Sequence, residues 1–479
     1  MLDRRTFLAN TSFGLAGLAS GCADPAIPVT PSPKPPALPD FYEEIEYRTF
    51  RYFRDTVNAA NGLIPDRWPS PSAANIAAVG AALAIWPMAV ERGWISRDLA
   101  LTLTRAALRF FDEAPQGEGP SGMSGHRGFF YRLIDMKSGA RYKKAEISSV
   151  DTASLHLGML FAAGWWSGDN EDEQEVRRRA TDIVDRAEWL WFQNGSAEIS
   201  QSWRPEGGFA RSGVIGYNEG LTAVLLALGS ARHAVEDGAW EAWSAPYPRL
   251  WRGEGETRHL AYGPLCGHQL GHMWIDFRGI RDTVMRGAGF DYFENSRRAT
   301  YANRAYCIAN PMRWDGYSAD LWGLTASDGP GAFQLPFKGE TRTFHGYARR
   351  GPLDLPGERD DGTLSPAASL GSLPFAPEIV LPAAKAFMAV PGLYREYGFL
   401  NGYNPSFRFT DRKVETGNLN LQSGWVAGDY LALTQALILV QAANARSDFV
   451  WKIMRRSPVL RRGLTRAGFT GGWIQQKSD

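Results

Sequence analysis

The fold class that the sequence predicts is all-α, a single (α/α)6 toroid barrel with long functional loops, and three observations predict it. About a dozen segments carry apolar residues at helical spacing. No strand–helix–strand alternation accompanies them, and no Pro-rich or Ser-rich linker divides the chain after residue 40. At 479 residues the chain exceeds an average domain, and one large helical barrel accommodates that length.

The first element is an address. Arg4-Arg5-Thr6-Phe7-Leu8 reads as a twin-arginine core, and residues 10–21 after it are too short and too polar to remain as a bilayer span. The stretch closes on Leu18-Ala19-Ser20-Gly21-Cys22, which resembles a bacterial lipobox with Cys22 as the lipidated residue. Residues 1–22 are therefore expected to be an export signal. Residues 23–40 are expected to be a tether, because seven prolines between Asp24 and Pro39 favour an extended polyproline-II spacer. The expected location is periplasmic, anchored to a bacterial membrane by lipid; ordinary cleavage to a soluble periplasmic protein is the alternative. Residues 41–479 are expected to form one domain.

In that body, helical periodicity predicts helices over 41–57, 74–91, 97–112, 151–166, 171–192, 218–234, 265–276, 292–308, 377–390 and 429–445. Shorter ones are expected at 239–243, 319–325 and 447–455. Between them lie loops rich in Gly, Pro, Trp and Asp at 121–129, 200–216, 328–372 and 398–424, and loops that long inside a domain usually carry function. In a toroid the loops at one end of the inner helices converge on one cleft. No segment after residue 40 has the ~20 unbroken apolar residues of a membrane span.

Composition narrows the partner. Lys and Arg number 52 against 51 Asp and Glu, so there is no electrostatic footprint for nucleic acid. Beside 51 Gly stand 17 Trp, 17 Tyr and 25 Phe, which suits aromatic-lined clefts where sugar rings stack through their apolar C–H faces. Cys266 and Cys307 could pair in an oxidising compartment, but their apolar helical surroundings favour two buried small hydrophobes.

Three carboxylates stand out. Glu146 and Asp151 precede or open a helix, where Asp151 also fits a capping acid. Glu219 opens another helix after a glycine-rich loop. The chemistry that uses two such groups is glycoside hydrolysis, with one protonating the leaving oxygen and another activating water or attacking the sugar. His268 and His272 stand four apart with Asp276 four further on, a metal-ligand spacing, but the glutamate of a zinc-protease motif is missing, so a polar cleft-lining face is favoured, with satisfied structural histidines next and a metal last. No nucleotide-binding glycine loop, nucleophile elbow or Cys-X-X-Cys is present, and no cofactor is expected.

Longer motifs then accumulate: Gly62-Leu63-Ile64-Pro65-Asp66-Arg67, Gly216-Tyr217-Asn218-Glu219, Trp274-Ile275-Asp276-Phe277-Arg278-Gly279 and Trp322-Gly323-Leu324-Thr325-Ala326. Together they resemble the bacterial glucoamylase-like domain that includes glycoside hydrolase family 144. The resemblance implies an (α/α)6 barrel that hydrolyses β-1,2-glucan to sophorose or short oligosaccharides with inversion. It also implies Glu219 as general acid, Glu146 and Asp151 as cleft carboxylates, and sugar contacts from Asp66, Arg67, Trp203, Tyr217, Asn218, His268, His272 and Trp322. The chain departs from the family pattern where Ala319 in Tyr317-Ser318-Ala319 replaces a glutamate, where Thr434 stands for an expected aspartate, and where Gln435-Ala436-Leu437 and Gln441-Ala442-Ala443-Asn444 replace Gln-Gly-Pro and Glu-Asn. If that aspartate is the base, Asp429, Asp151 or Glu146 must replace it, or the chemistry differs. The expected activity is thus a β-glucan glycosidase, acting as a monomer on an oligo- or polysaccharide. The alternatives are a noncatalytic glycan-binding lipoprotein and a hydrolase or lyase of another polysaccharide.

Overall fold

Helices that are apolar all round and helices apolar on one face take different places in the computed structural model, which describes residues 37–355 and 357–476. The expected export signal, Cys22 and nearly all of the expected tether lie outside those residues. The described residues belong to one compact unit.

The buried class comprises α2 (Ile76–Glu91), α4 (Ser149–Trp165), α7 (Leu221–Gly229) and α15 (Ala432–Ser447), in which nearly every side chain of α2 and α7 is sealed from solvent. α2 packs on α4 and α15, and α4 packs on α7. Gly80 and Gly158 let α2 and α4 touch backbone to backbone, since a Cβ on either would run into the other helix. The one-sided class lies outside them. α1 (Asp40–Asp55) covers α15 and α2, α3 (Arg97–Glu113) covers α2, α5 (Glu171–Asp185) covers α3 and α4, and α17 (Pro458–Arg466) covers α7. Side-chain caps start several helices: Asn75 accepts the Ala78 amide, Ser96 that of Leu99, Ser148 that of Asp151 and Asn170 that of Glu173.

The remaining helices are α6 (Trp189–Gln193), α8 (Ala239–Ser244), α9 (Tyr247–Leu250), α10 (Cys266–Gln269), α11 (Thr283–Ala288), α12 (Tyr292–Ala309), α13 (Pro366–Leu370), α14 (Pro377–Met388) and α16 (Phe449–Met454). Short two- and three-stranded ribbons stitch the loops, the longest pairing Phe333–Phe337 with Glu340–Phe344.

Several expectations need correction. The helix expected over 171–192 breaks after Asp185 into α5 and α6. The one expected over 265–276 is a single α turn, α10, followed by a 3-10 turn at Gly271–Met273. Residues 319–325 form no helix, because tertiary partners hold their backbone: Asn303 bonds both the amide and the carbonyl of Leu324, and Arg304 donates to the Ala319 carbonyl. The expected loop 328–372 contains the long ribbon and α13, and α17 was not expected at all.

Candidate active site

A cleft of about 790 Å³ opens where the N-terminal ends of α2, α4, α7, α13 and α15 come together with the loops that lead into them. Four carboxylates line it, Asp66, Glu146, Asp151 and Glu219. Local structure accounts for each. Arg67 opens the short strand that pairs with Tyr430–Leu431, and Asp66 directly precedes it. Asp151 occupies the first turn of α4 behind its Ser148 cap, Glu146 lies just ahead of that cap, and Glu219 closes the glycine-rich turn before α7.

Their electrostatics differ. Burial would raise the Glu146 carboxyl, but Arg132 (Nε to Oε1, 3.0 Å) and Arg204 (Nη2 to Oε2, 2.9 Å) hold it below the usual range. Glu146 is thus an ionised anchor with both oxygens in use. Asp66 accepts a hydrogen bond from Asn75 Nδ2 at 2.7 Å. Asp151 goes the other way: burial pushes it up to about 6, with the nearby charges of Glu146 and Asp66 adding and the Ser148 hydroxyl and Arg132 opposing. Glu219 has one oxygen, Oε2, buried without a hydrogen-bond partner. Beside it, burial and then the Glu219 charge push the Cys266 thiol up to about 12, so that thiol stays protonated. Cys266 therefore lines the cleft rather than the core, whereas Cys307 is buried, and both are free.

Arg67 reaches the cleft and is held by Asp328 (3.4 Å) and Asp429 (3.2 Å), while Asp429 also accepts the Ser70 amide. Asp429 is buried outside the lining. Thr434 lines the cleft from the first turn of α15, its hydroxyl donating to the Leu431 carbonyl.

The other expected sugar contacts stand elsewhere. Trp203 pairs its backbone with Ile147 and stacks its ring on His126. Asn218 serves its own turn, donating to the Ile215 carbonyl and accepting the Gly220 amide. Tyr217 is buried against Tyr292 and bonds Ser296, which also bonds His272 Nε2 at 3.0 Å. His268 and Trp322 are buried too, and none of these side chains lines the cleft. Burial keeps the imidazoles neutral, pushing His272 down to about 3 and His268 well below its ordinary range. Asp276 is engaged by Arg278 and Arg455. Among the described residues no three His, Cys, Asp or Glu side chains converge as a metal site.

Sequence reasoning missed Arg132, Arg204 and Tyr347, all in the lining. Arg132 and Arg204 carry no local motif, and their roles appear only once the ribbons bring both guanidiniums onto Glu146. Tyr347 sits in Gly346-Tyr347-Ala348-Arg349-Arg350-Gly351, where an aromatic amid glycine and arginine was the available signal.

A family model described as putative glucoamylase matches residues 212–458, more than half of the chain. A putative glucoamylase from Bacteroides uniformis superposes with a TM-score of 0.77 at 27% identity, covering 91% of this chain and 99% of the other. An endo-β-1,2-glucanase from Chitinophaga pinensis, solved with sophorotriose and glucose, superposes at 0.75 and 23% identity, covering 91% of this chain and 100% of the other. The exo β-1,2-glucooligosaccharide sophorohydrolase of Parabacteroides distasonis is 23% identical over 452 residues, 88% of this chain; the chain spans 56% of that relative's length.

Proposed function

Because the chain belongs to the putative glucoamylase family, we propose that it hydrolyses a β-glucan, with the β-1,2 linkage first in line, on a closed (α/α)6 barrel. Closure is supported by the segment 266–273: its Gln269 donates to Ala368 of α13 and to Ser372 just after it, its carbonyls accept from Gln441 and Asn444 of α15, and a Cβ on its Gly271 would touch Leu221 of α7.

The observation that carries the activity is one cleft in which Glu146 is tied by ion pairs to two guanidiniums while Asp151 and Glu219 form no ion pair among the described residues. Glu219 donates its proton to the leaving glycosidic oxygen. Asp151 removes a proton from water, whose oxygen bonds to the anomeric carbon from the opposite face, and the two carboxyls then exchange protons with solvent. Asp151 suits the base because its proton affinity lies close to neutral pH. Asp429, tied to Arg67 and Ser70, is less suited. The proposal extends to export and to a lipid on Cys22, a reading supported by Arg4-Arg5 and the run Leu18-Ala19-Ser20-Gly21-Cys22, which would hold the activity at a bacterial membrane.

Purified protein incubated with β-1,2-, β-1,3-, β-1,6- and α-1,4-glucans tests this. Release of sophorose-type products from the β-1,2 chain alone is the expected outcome; unchanged chromatograms across the panel would remove the hydrolase reading. The presence of Thr434 in the cleft favours a second reading, a glycan-binding protein, which predicts binding without turnover.

A further inference from the structure

One side chain enters the cleft with most of its surface free. Tyr347 is 64% exposed, yet it lines the cleft and is the one aromatic in that lining. Cys266, Asp66 and Asp328, from three separate segments, stand near enough for their charges to act on its hydroxyl. The ring therefore stands within the concavity, open to solvent but surrounded by protein.

Its backbone is held with unusual completeness. Arg350 and Asp361 form a fully buried two-point pair, Nε to Oδ1 at 2.7 Å and Nη2 to Oδ2 at 2.9 Å. The same guanidinium donates to the carbonyls of Ser327, Ala348 and Gly346, so one arginine grips the chain on both sides of Tyr347. Asp361 also accepts the His345 amide, and Ser327 and Ala348 exchange both backbone hydrogen bonds. Gly329 lets the strands close up, since a Cβ there would meet Arg350 and the His345 carbonyl. Buried charges need this degree of satisfaction to be tolerated. Its result is a loop whose ordering is complete before any ligand arrives.

A pyranose ring offers apolar C–H faces, and this otherwise polar and aliphatic lining has a single aromatic face to match them. We propose that Tyr347 is the stacking platform that holds one sugar ring of the substrate so that the scissile bond lies between Glu219 and Asp151. This rests on the hydrolase reading given above.

The test compares Tyr347→Ala and Tyr347→Phe with wild type on β-1,2-gluco-oligosaccharides. The alanine variant should raise KM about tenfold with a smaller change in kcat, the phenylalanine variant should stay within about threefold, and both should melt with the wild type. An unmoved KM in Tyr347→Ala, equal damage from the two variants, or a large fall in melting temperature would overturn the platform while leaving the hydrolase intact. Wild type that binds and cleaves no glucan would end both. If wild type binds without turnover, the same comparison is made on Kd by calorimetry, with the same outcomes deciding.

Discussion

The cleft and the buried belt around His272 are built from similar polar residues, and their environments treat them oppositely. In the cleft, carboxylates sit at the ends of helices that begin there, and burial pushes Asp151 up to about 6, into the range where a proton can be passed at neutral pH. In the belt, burial pushes His272 down to about 3, beyond use as a proton carrier, and its ring bonds Ser296 and packs against Phe277 and Phe375. Gln269, Gln441 and Asn444 in the same belt tie segments together through backbone carbonyls and hydroxyls. A polar residue in this fold is thus open to chemistry or committed to construction according to whether its own side chain reaches the cleft.

The comparison breaks first at Glu219. Glu219→Gln should lower kcat about 100-fold or more on the glucan that the panel identifies, with KM within a few-fold and an unchanged melting temperature, because only the donated proton is removed. Steady-state kinetics beside thermal unfolding decide it; unchanged turnover would take the acid role from Glu219.

Asp151 comes next, through pH. Its folded carboxyl titrates near 6 against an ordinary 3.8, so the folded state holds the extra proton between those values. The associated stability is fully present below about 3.8 and is lost as pH rises to 6, a span worth at most about 3 kcal/mol and less for a side chain open to the cleft. Asp151→Asn should therefore unfold at a higher denaturant concentration than wild type at pH 7, with the gain vanishing near pH 4. A base must be ionised, so wild-type kcat/KM should fall as pH drops through about 6, and the variant should lose most turnover. A stability gain with unaltered turnover would leave Asp151 in the wall but out of the reaction.

The two regions were also unequally legible. α2 and α4 were plain because their apolar runs are long and their neighbours are helices of the same kind. Glu219 and Asp151 could be found because helix starts carry local signals, and the starts of α4 and α7 face the cleft. His268 and His272 misled for a physical reason: spacing shows which residues share a face, but not whether the face meets solvent or Phe375, and α10 ends after one turn in any case. The segment 319–325 and Tyr347 depend on partners far along the chain, Asn303 for the first and Asp361 for the second, which no local window contains.

The smallest effect on the cleft should come from the belt, and there it sharpens the contrast. His272→Ala removes a neutral ring from among Phe277, Phe293 and Phe375 and leaves the Ser296 hydroxyl with one partner fewer. A cavity plus a lost buried hydrogen bond should cost about 2 kcal/mol of stability, read from the denaturation midpoint. Turnover per folded molecule should stay within about twofold, since the imidazole neither lines the cleft nor takes up a second proton near neutral pH. A tenfold fall in kcat in well-folded protein would mean that the belt and the cleft act as one site, and the separation drawn between construction and chemistry would have to be given up.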